Sequence, residues 1–363
     1  MSKDLDEQYM RLALRLALRG AGRTSPNPMV GAVLVHHRKI IATGYHRRAG
    51  EDHAEIAALK RAGEKARGAT LYLNLEPCDH HGRTPPCTLS VIRAGVRKVV
   101  AGMVDPNPQV RGRGIRRLRR AGIEIRVGVL EAECRTINEA FGKYINRRIP
   151  FVILKLAASL DGRIATATGD SHWITEVGSR KYVHRLRNQV DALIVGAGTA
   201  VADDPQLTCR IPGGRNPMRM VLDARLRIPV TARLFHQREP EKTIVVTGPR
   251  APLKKIQTIR SLGSQVWSFQ TREGGIPFAP VLKKLGRMGL LSIMIEGGAV
   301  TATRALRERV VDKVLFFYAP KLIGGDGKPM LESLNIKKMR FCRQLKNVTI
   351  QRFGKDFLVS GYL

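Results

Sequence analysis

The sequence has few aromatic residues, few cysteines and no long apolar run, and each shortage excludes a class of protein. Aromatic residues make up 5% of the 363 residues and do not alternate with basic residues, as a platform for stacking bases would require. No segment approaches about 18 consecutive apolar residues, so no membrane-spanning helix and no membrane partner are predicted. The five cysteines are an odd number without a disulfide framework, which favours a reducing, cytoplasmic setting. Three of them, Cys134, Cys209 and Cys342, are expected to be buried small apolar residues.

Acidic residues are also scarce, which leaves a large excess of positive charge. The chain has 63 Lys and Arg against 30 Asp and Glu, a formal net charge of +33. Such an excess can indicate binding to phosphate backbones, and its densest run lies at 111–120. Basic residues are nevertheless spread over the whole chain. We therefore expect no nucleic-acid partner and interpret the charge as a general basic surface, which can also steer phosphorylated small molecules.

Length and apolar content predict two domains. A chain of 363 residues with 43% hydrophobic content is long enough for two separate cores. A boundary is predicted at 147–151, where Pro150 precedes the continuous apolar run of a buried strand. The expected domains are 1–149 and 150–363.

Both halves alternate apolar strand patterns with helical patterns, which is typical of an α/β fold. In the first half the strands are expected at 30–35, 71–75, 98–103 and 124–127, and the fold is expected to be a three-layer α/β/α domain. In the second half the strands are expected at 151–156, 191–195, 219–223, 243–247, 292–296 and 313–318.

A split cluster in the first half carries the chemistry. His53, Cys78 and Cys87 are one imidazole and two thiols, which can hold Zn²⁺ and leave its fourth tetrahedral position for water. Glu55 lies two residues after the histidine and is expected to be the catalytic proton carrier rather than a ligand. The order matches the H-x-E…P-C-x-x-C signature of zinc nucleobase deaminases. However, eight residues rather than two separate the cysteines. All three ligands are expected near helix starts, where the helix dipole favours thiolate.

Glycines in the second half suggest a cofactor site of a different kind. Gly196 and Gly198 follow a predicted strand, but position 201 is Val, so the dinucleotide fingerprint G-x-G-x-x-G is incomplete. A Rossmann fold is therefore not expected. Gly196 to Thr199 and the Gly297-Gly298 pair are expected to bring backbone amides close to cofactor phosphates.

Several stretches together resemble the bifunctional deaminase–reductase family of riboflavin biosynthesis. In the first half they are PNPMVGAV (26–33), HAEIAAL (53–59), LEPCDHHGRTPPC (75–87) and DPNPQVRGRG (105–114). In the second half they are KLAASLDGRIAT (155–166), SHWIT (171–175), VGAGTAVADDPQLTCR (195–210), IEGGA (295–299) and APKLIGG (319–325). In that family the longer interval between the cysteines contains the GRTPPC insert.

The resemblance implies a cytidine-deaminase-like first domain that removes the 2-amino group of 2,5-diamino-6-ribosylamino-4(3H)-pyrimidinone 5′-phosphate. Glu55 would take a proton from water and pass it to the ring nitrogen and the leaving amine. The matching substrate-binding positions are Asn27, His46, His80, Arg83, Asp105 and Asn107.

For the second domain the resemblance implies a dihydrofolate-reductase-like fold that transfers hydride from NADPH to the opened ribose. The implied cofactor contacts are Ala157, Trp173, Thr199, Asp203, Gly298, Ala299, Val300, Thr301, Ala302, Thr303 and Arg304. The implied substrate contacts are Ser171, Arg187, Leu207, Arg210 and Glu296, with Arg187 and Arg210 as phosphate cations. Lys155 and Asp161 can be functional or structural, and no proton donor for the carbonyl is assigned.

Two other functions compete with this interpretation. A nucleic-acid deaminase would use the positive charge, but it should have the short cysteine spacing and no second domain. The second alternative is a deaminase with a non-catalytic reductase-like domain. Against it, the reductase motifs at Asp203-Asp204-Pro205, Arg187, Arg210 and 296–298 are intact. A homo-oligomer is expected.

Overall fold

The computed structural model describes residues 3–80 and 85–363. The chain divides into two compact units, Met1–Ile149 and Pro150–Leu363, called here the first and the second unit. Within the described ranges, no helix combines the length and the apolar character that a membrane span requires.

The first unit alternates helices and strands along the chain. Its elements are α1 (Lys3–Ala17), β1 (Gly31–His36), β2 (Lys39–Tyr45), α2 (Ala54–Ala62), β3 (Thr70–Leu73), α3 (Cys87–Arg93), β4 (Lys98–Ala101), α4 (Arg113–Arg120), β5 (Glu124–Val127), α5 (Glu131–Ile137) and α6 (Glu139–Arg147).

The sheet of the first unit has the order β2-β1-β3-β4-β5, and helices cover both of its faces. Successive side chains of a strand point to opposite faces. Leu34 and Leu71 accordingly pack with residues of α2, α3 and α4, whereas Val33 and Tyr72 pack with residues of α1 and α5. The expected three-layer α/β/α arrangement is therefore confirmed.

Two glycines let helices lie directly on this sheet. A Cβ on Gly31 of β1 would lie 2.0 Å from the Ala13 carbonyl oxygen of α1. A Cβ on Gly44 of β2 would lie 2.3 Å from the carbonyl oxygen of Ala54, the first residue of α2. Both contacts are with backbone atoms, so glycine is required for helices α1 and α2 to lie where they do.

The second unit contains a larger sheet flanked by helices. Its elements are β6 (Phe151–Ser159), β7 (Arg163–Ala165), α7 (Val177–Gln189), β8 (Ala192–Gly196), α8 (Ala197–Asp203), β9 (Met218–Leu222), β10 (Thr243–Thr247), α9 (Leu253–Ser261), β11 (Gln265–Ser268), α10 (Phe278–Arg287), β12 (Ser292–Glu296), α11 (Ala299–Arg307), β13 (Lys313–Ala319), β14 (Lys328–Pro329), β15 (Lys346–Phe353) and β16 (Asp356–Tyr362).

The large sheet has the order β11-β10-β9-β8-β12-β6-β13-β16-β15. The pairs from β11 to β13 are parallel, and β16 and β15 continue the sheet antiparallel. Core clusters cover both faces, one around Leu154 and Phe278 and the other around Leu193 and Val245. Because seven neighbouring strands run parallel, their carboxyl ends form one edge, where ligand sites of such sheets usually lie.

Two expectations about cysteines have different outcomes. Cys134 is fully buried, as expected for a small apolar residue. Cys209 and Cys342 are only partly buried, so the expectation that they are core residues is corrected. Cys209 lies in the loop between α8 and β9, where its thiol contacts the backbone carbonyl of His184.

Candidate functional site

In the first unit, the N-terminal ends of α2 and α3 lie beside the turn that follows β3. His53 is the N-cap residue of α2, and Glu55 lies in the first turn of that helix. Cys87 is the first residue of α3. Cys78 lies in the turn that follows β3, and its carbonyl oxygen accepts the backbone N–H of Thr88 in the first turn of α3 at 3.3 Å. The three predicted ligands therefore all lie near helix starts, as expected.

These four residues meet in a compact cluster. One ligand atom from each of His53, Glu55, Cys78 and Cys87 lies within 4.8 Å of all the others. The His53 Nδ1 atom is 3.1 Å from Cys87 Sγ and 3.7 Å from Cys78 Sγ. Cys87 is 1% and Glu55 3% exposed. An imidazole nitrogen and two thiol sulfurs converging in a protected turn can hold a metal ion.

Electrostatics favours ionisation of one of the two thiols in the cluster. Hydrogen bonds from Cys87 and then His53 lower the pKa of the Cys78 thiol, despite burial. The same contact with Cys78, together with burial, raises the pKa of the Cys87 thiol. Cys78 is therefore the thiol that deprotonates more readily. Burial is the main cause that raises the pKa of Glu55, which makes its carboxylate a stronger base than that of an exposed glutamate.

A neutral histidine lies beside the cluster. The His46 ring contacts the His53 ring at 5.3 Å between centroids. Its Nδ1 lies 3.0 Å from the carbonyl oxygen of Asp52, which can only accept, so Nδ1 carries the proton. Nε2 then accepts from the Asn27 amide at 3.1 Å. Burial lowers the pKa of His46. Because Nε2 of the neutral ring can only accept, the NH₂ group of the Asn27 carboxamide points towards His46.

The other implied substrate residues of the first unit lie in two loops. Asp105 is buried, and burial raises its pKa to about 6. Its Oδ1 accepts the backbone N–H of Asn107 at 2.8 Å, and Asn107 Oδ1 accepts that of Gln109. His80, two residues after Cys78, is exposed. Arg83 lies outside the described residues.

A second carboxylate, that of Asp79, joins the turn after β3 to the start of α3, and it was not identified from the sequence. Asp79 Oδ1 accepts hydrogen bonds from Thr88 Oγ1 at 2.6 Å and from an Arg117 guanidinium nitrogen at 2.9 Å. Asp79 and Thr88 each follow a cysteine of the cluster. The position of Asp79 and Thr88 next to the two cysteines was a signal in the sequence. Nothing in the sequence connects Arg117 to Asp79.

The second unit contains a cleft of about 1220 Å³ at the carboxyl ends of its parallel strands. Its lining includes Lys155 and Ala157 of β6, Glu296 at the end of β12, and Asp223 just after β9. The following implied contacts also line it: Ser171, Trp173, Arg187, Thr199, Asp203, Leu207, Arg210, Gly298, Ala299, Val300, Thr301 and Arg304.

Two implied cofactor residues do not line this cleft. Ala302 is fully buried in the hydrophobic core. Thr303 is 2% exposed, and its hydroxyl accepts the backbone N–H of Glu332. A helix has 3.6 residues per turn, so α11 presents 300, 301 and 304 to the cleft and 302 and 303 to the core. The expectation for these two side chains is corrected.

The turn from β12 into α11 brings backbone close to the cleft. Gly297 and Gly298 have φ values of 75° and 51°. A Cβ on Gly298 would lie 2.8 Å from the Thr199 hydroxyl. Glycine is required at this turn, which leads directly to the N-terminal amides of the nine-residue helix α11.

A buried group of charges occupies one end of the cleft. Two nitrogens of the Arg187 guanidinium bond both oxygens of Glu296, at 2.8 and 2.9 Å, and a third bonds the Thr208 carbonyl at 3.1 Å. Lys155 is the neighbour of Glu296 on the adjacent strand, and burial lowers the pKa of its ammonium group. Arg187 is thus bound to Glu296, and its role as a phosphate cation stays a prediction. The role of Lys155, which the sequence left open between functional and structural, is settled in position: its side chain faces the cleft. The signal for this in the sequence was a lysine inside an otherwise apolar strand.

The other open residue, Asp161, has a structural role. Its carboxylate accepts the Ser159 hydroxyl at 2.5 Å and the backbone N–H of Gly324 at 2.7 Å. These hydrogen bonds lower the pKa of Asp161 to about 2. Asp161 does not belong to the lining of the cleft. It ties the turn after β6 to the loop after β13.

Exposed cations line the part of the cleft near β9. Arg225 and Arg227 follow this strand, and Arg233 lies a few residues further along. In the sheet, β12 and β8 lie between β9 and β6, so β9 is about 14 Å from β6, the strand of Lys155. The cleft is therefore long, with cations at both ends.

Comparisons with known proteins account for both units. Residues 150–359 match the family model of the RibD C-terminal domain. Residues 3–103 match that of the cytidine and deoxycytidylate deaminase zinc-binding region. The riboflavin biosynthesis protein RibD of Aquifex aeolicus is 42% identical over 99% of both chains. That of Escherichia coli is 40% identical over 97% of both chains.

Solved structures agree over nearly the whole chain. RibD of Acinetobacter baumannii superposes with a TM-score of 0.88 at 36% identity and 99% coverage of both chains. A Thermotoga maritima protein, described as a diaminohydroxyphosphoribosylaminopyrimidine deaminase/5-amino-6-(5-phosphoribosylamino)uracil reductase, superposes with a TM-score of 0.86 at 38% identity and the same coverage. Together with the compact histidine–cysteine cluster in one unit and the long cleft in the other, these matches show that the chain belongs to the RibD family of riboflavin biosynthesis proteins.

Proposed function

We propose that the chain catalyses two consecutive steps on one phosphorylated pyrimidine. The first unit hydrolytically deaminates 2,5-diamino-6-ribosylamino-4(3H)-pyrimidinone 5′-phosphate. The second unit reduces the ribosyl group of the product to a ribityl group with NADPH. The observation that carries this proposal is that each unit contains its own built site, a metal-binding cluster in one and a long cationic cleft in the other. The reducing conditions that free thiols and NADPH require fit a cytoplasmic protein.

The cluster of the first unit fits zinc. Zinc prefers nitrogen and sulfur donors in tetrahedral geometry, for which a nitrogen and a sulfur ligand should be about 3.5 Å apart. The observed His53 Nδ1 distances to the two sulfurs, 3.1 and 3.7 Å, lie on either side of this value. His53, Cys78 and Cys87 would hold the ion. When bound, zinc supplies the Lewis acidity that makes water a nucleophile at neutral pH.

Glu55 and the surrounding polar groups supply the rest of the deamination chemistry. Because burial raises its pKa, the Glu55 carboxyl group can take a proton from water and return it to the ring nitrogen and then to the leaving amine. Asn27, oriented by the neutral His46, suits the amide and amino groups of a pyrimidine ring. Asp105 can accept from the ring amino groups, and burial keeps competing water away from it.

The cleft of the second unit fits NADPH in length and charge. The backbone at Gly297-Gly298 and the start of α11 would hold the pyrophosphate. Arg225 and Arg227, exposed at the β9 end, would meet the extra phosphate that distinguishes NADPH from NADH. The nicotinamide end then reaches the group formed by Lys155, Arg187 and Glu296, where the sugar phosphate would bind.

One coupled assay tests the two activities together. Purified protein is given the diaminopyrimidine nucleotide with and without NADPH, and ammonia release and NADPH oxidation are followed separately. Glu55→Gln should reduce ammonia release by about 10²-fold or more, retain zinc by atomic absorption, and still oxidise NADPH with the deaminated substrate. Glu64→Gln, at an exposed position just after α2, is the control and should behave as the wild type.

The outcomes separate the possible functions. Wild-type deamination by the Glu55→Gln protein would exclude the proton-carrying role. Ammonia release without any NADPH oxidation would favour a non-catalytic second unit.

Binding measurements test the cofactor independently of turnover. Calorimetry should detect adenosine 2′,5′-bisphosphate binding at least about tenfold more tightly than 5′-AMP, because only the former carries the extra phosphate. Arg225→Gln combined with Arg227→Gln should remove this difference. Equal affinities in the wild type would contradict NADPH as the preferred cofactor.

A further inference from the structure

Glu76 is a buried carboxylate beside the metal-binding cluster that the proposed deamination does not use. It is 3% exposed and directly precedes Pro77 and Cys78. Its backbone N–H donates to the Met103 carbonyl at 2.9 Å, which anchors it at the end of the sheet. Its side chain is shielded from solvent, so its two oxygens need partners inside the protein.

Those partners are three backbone N–H groups from one stretch of chain. Oε2 accepts from Asp105 at 3.1 Å and from Gly112 at 2.9 Å. Oε1 accepts from Ile115 at 3.2 Å. Asp105 lies in the loop between β4 and α4, Gly112 is the N-cap of α4, and Ile115 lies in its first turn. A single carboxylate therefore holds both ends of the segment 105–112, called here the 105–112 loop.

The helix that follows the loop is fixed against the same turn. A Cβ on Gly114 would lie 2.1 Å from the Pro77 carbonyl oxygen, so the start of α4 touches the residue between Glu76 and Cys78. Further along α4, Arg117 is paired with Asp79 at 2.9 Å. The 105–112 loop is thus held at both ends relative to the turn that carries Cys78.

We propose that Glu76 is a positioning residue for deamination, which fixes the loop carrying Asp105 and Asn107 against the turn that carries Cys78. This inference rests on the proposed function of the first unit. The Asp105 side chain accepts the backbone N–H of Asn107, which links the two substrate-binding residues of the loop to each other. Loss of its anchor should therefore misplace the substrate-binding groups while leaving His53, Cys78 and Cys87 in place.

The test is Glu76→Gln, which keeps the size of the side chain. A carboxamide has one acceptor oxygen where the carboxylate has two, so at least one backbone N–H would face an NH₂ group. We expect the KM for the diaminopyrimidine nucleotide to rise at least about tenfold, the equivalent of one lost hydrogen bond to a charged group. The kcat should change much less, zinc should remain stoichiometric, and NADPH oxidation with the deaminated substrate should be unchanged.

Asp6→Asn is the matched control. Asp6 is also a fully buried carboxylate of the first unit, and it accepts from the Tyr72 hydroxyl at 2.6 Å and from Arg126. Neither of these partners belongs to the 105–112 loop. This variant should lose thermal stability as Glu76→Gln does, but its KM should stay within about twofold of the wild type.

A double-mutant cycle separates positioning from general loosening. If Glu76 acts through Asp105, Glu76→Gln should add little to the KM change of Asp105→Ala, whereas Asp6→Asn should combine with it additively. Additive effects of Glu76→Gln, an unchanged KM, or recovery of the variant only as unfolded or zinc-free protein would each overturn the proposal. A wild-type protein that fails to deaminate the nucleotide would instead count against the proposed function.

Discussion

The Arg187–Glu296 pair holds two opposite charges away from water at one end of the second cleft. Burial by itself raises the pKa of Glu296, but the charge and hydrogen bonds of Arg187 outweigh it and lower the pKa to about 2. An unfolded glutamate has a pKa of about 4.3. The pair therefore stabilises the second unit fully above about pH 4.3, and this contribution is lost as the pH falls towards 2.

We predict that Glu296→Gln lowers the free energy of unfolding of the second unit by about 3 kcal/mol at pH 7, the equivalent of this pKa difference. At pH 3 the difference from wild type should shrink to about half, because part of the wild-type stabilisation is then already lost. Urea denaturation at both pH values measures this. Glu273→Gln, at an exposed position, is the control, and a loss that is equal at both pH values would contradict the assignment.

At the residue scale, the sequence predicted which residues carry the chemistry better than it predicted which residues contact each other. The cluster of His53, Glu55, Cys78 and Cys87 follows a pattern that the chemistry itself demands, and the structure brings these residues together. Ala302 and Thr303 were misassigned as cofactor contacts because a sequence motif does not show which side of its helix each residue faces. The Asp79–Arg117 pair joins residues 38 apart, and no local pattern predicts a contact over that separation.

The approach of α2 to β2 at Gly44 determines where the metal-binding helix begins. A Cβ at this position would lie 2.3 Å from the Ala54 carbonyl oxygen and 2.7 Å from the Ala58 nitrogen. Since both are backbone atoms, Gly44→Ala should push α2, and with it His53 and Glu55, away from the sheet. We predict a loss of about 1–3 kcal/mol in stability and weaker zinc binding, measured by competition with a chromophoric chelator.

Gly142→Ala is the control for this prediction. Gly142 lies within α6, and a Cβ there would meet nothing within 4 Å. This substitution should stabilise the helix by up to about 1 kcal/mol and leave zinc affinity unchanged. A folded Gly44→Ala protein with wild-type zinc affinity would show that the start of α2 does not depend on this contact.

At the element scale, the buried parallel strands were predicted, whereas the edge strands β2 and β15 were missed. The expected strands at 243–247 and 292–296 agree with β10 and β12, because a short, mostly apolar run is typical of a strand that is covered on both faces. β2 and β15 lie at sheet edges, where β15 is almost fully exposed and β2 partly so. Their sequences mix polar and apolar residues, so local hydrophobicity contains too little information to identify them.

The two compact units should respond separately to their own ligands. Because a ligand stabilises only the state that binds it, removal of zinc should lower one thermal transition and NADPH should raise the other. We predict two transitions by differential scanning calorimetry, of which a chelator shifts only that of the first unit and adenosine 2′,5′-bisphosphate only that of the second. The Glu296→Gln variant identifies the second transition. Movement of both transitions with either reagent would contradict independent units.

The expected homo-oligomer stays a prediction, which light scattering would check.

The net charge of +33 belongs to the molecule as a whole rather than to one site. Exposed cations lie in both units, along the cleft of the second unit at Arg225 and Arg227 and along α4 of the first unit at Arg116, Arg119 and Arg120. Scattered charges attract a polyanion only while salt does not screen them, over about 8 Å at physiological ionic strength. We predict that transfer RNA shifts the protein in a mobility assay at about 20 mM salt and not at about 150 mM. Deamination at the higher salt should be unaffected by excess RNA. A complex that persists at about 150 mM salt and inhibits deamination would show instead that the basic surface leads a nucleic acid to the metal-binding cluster.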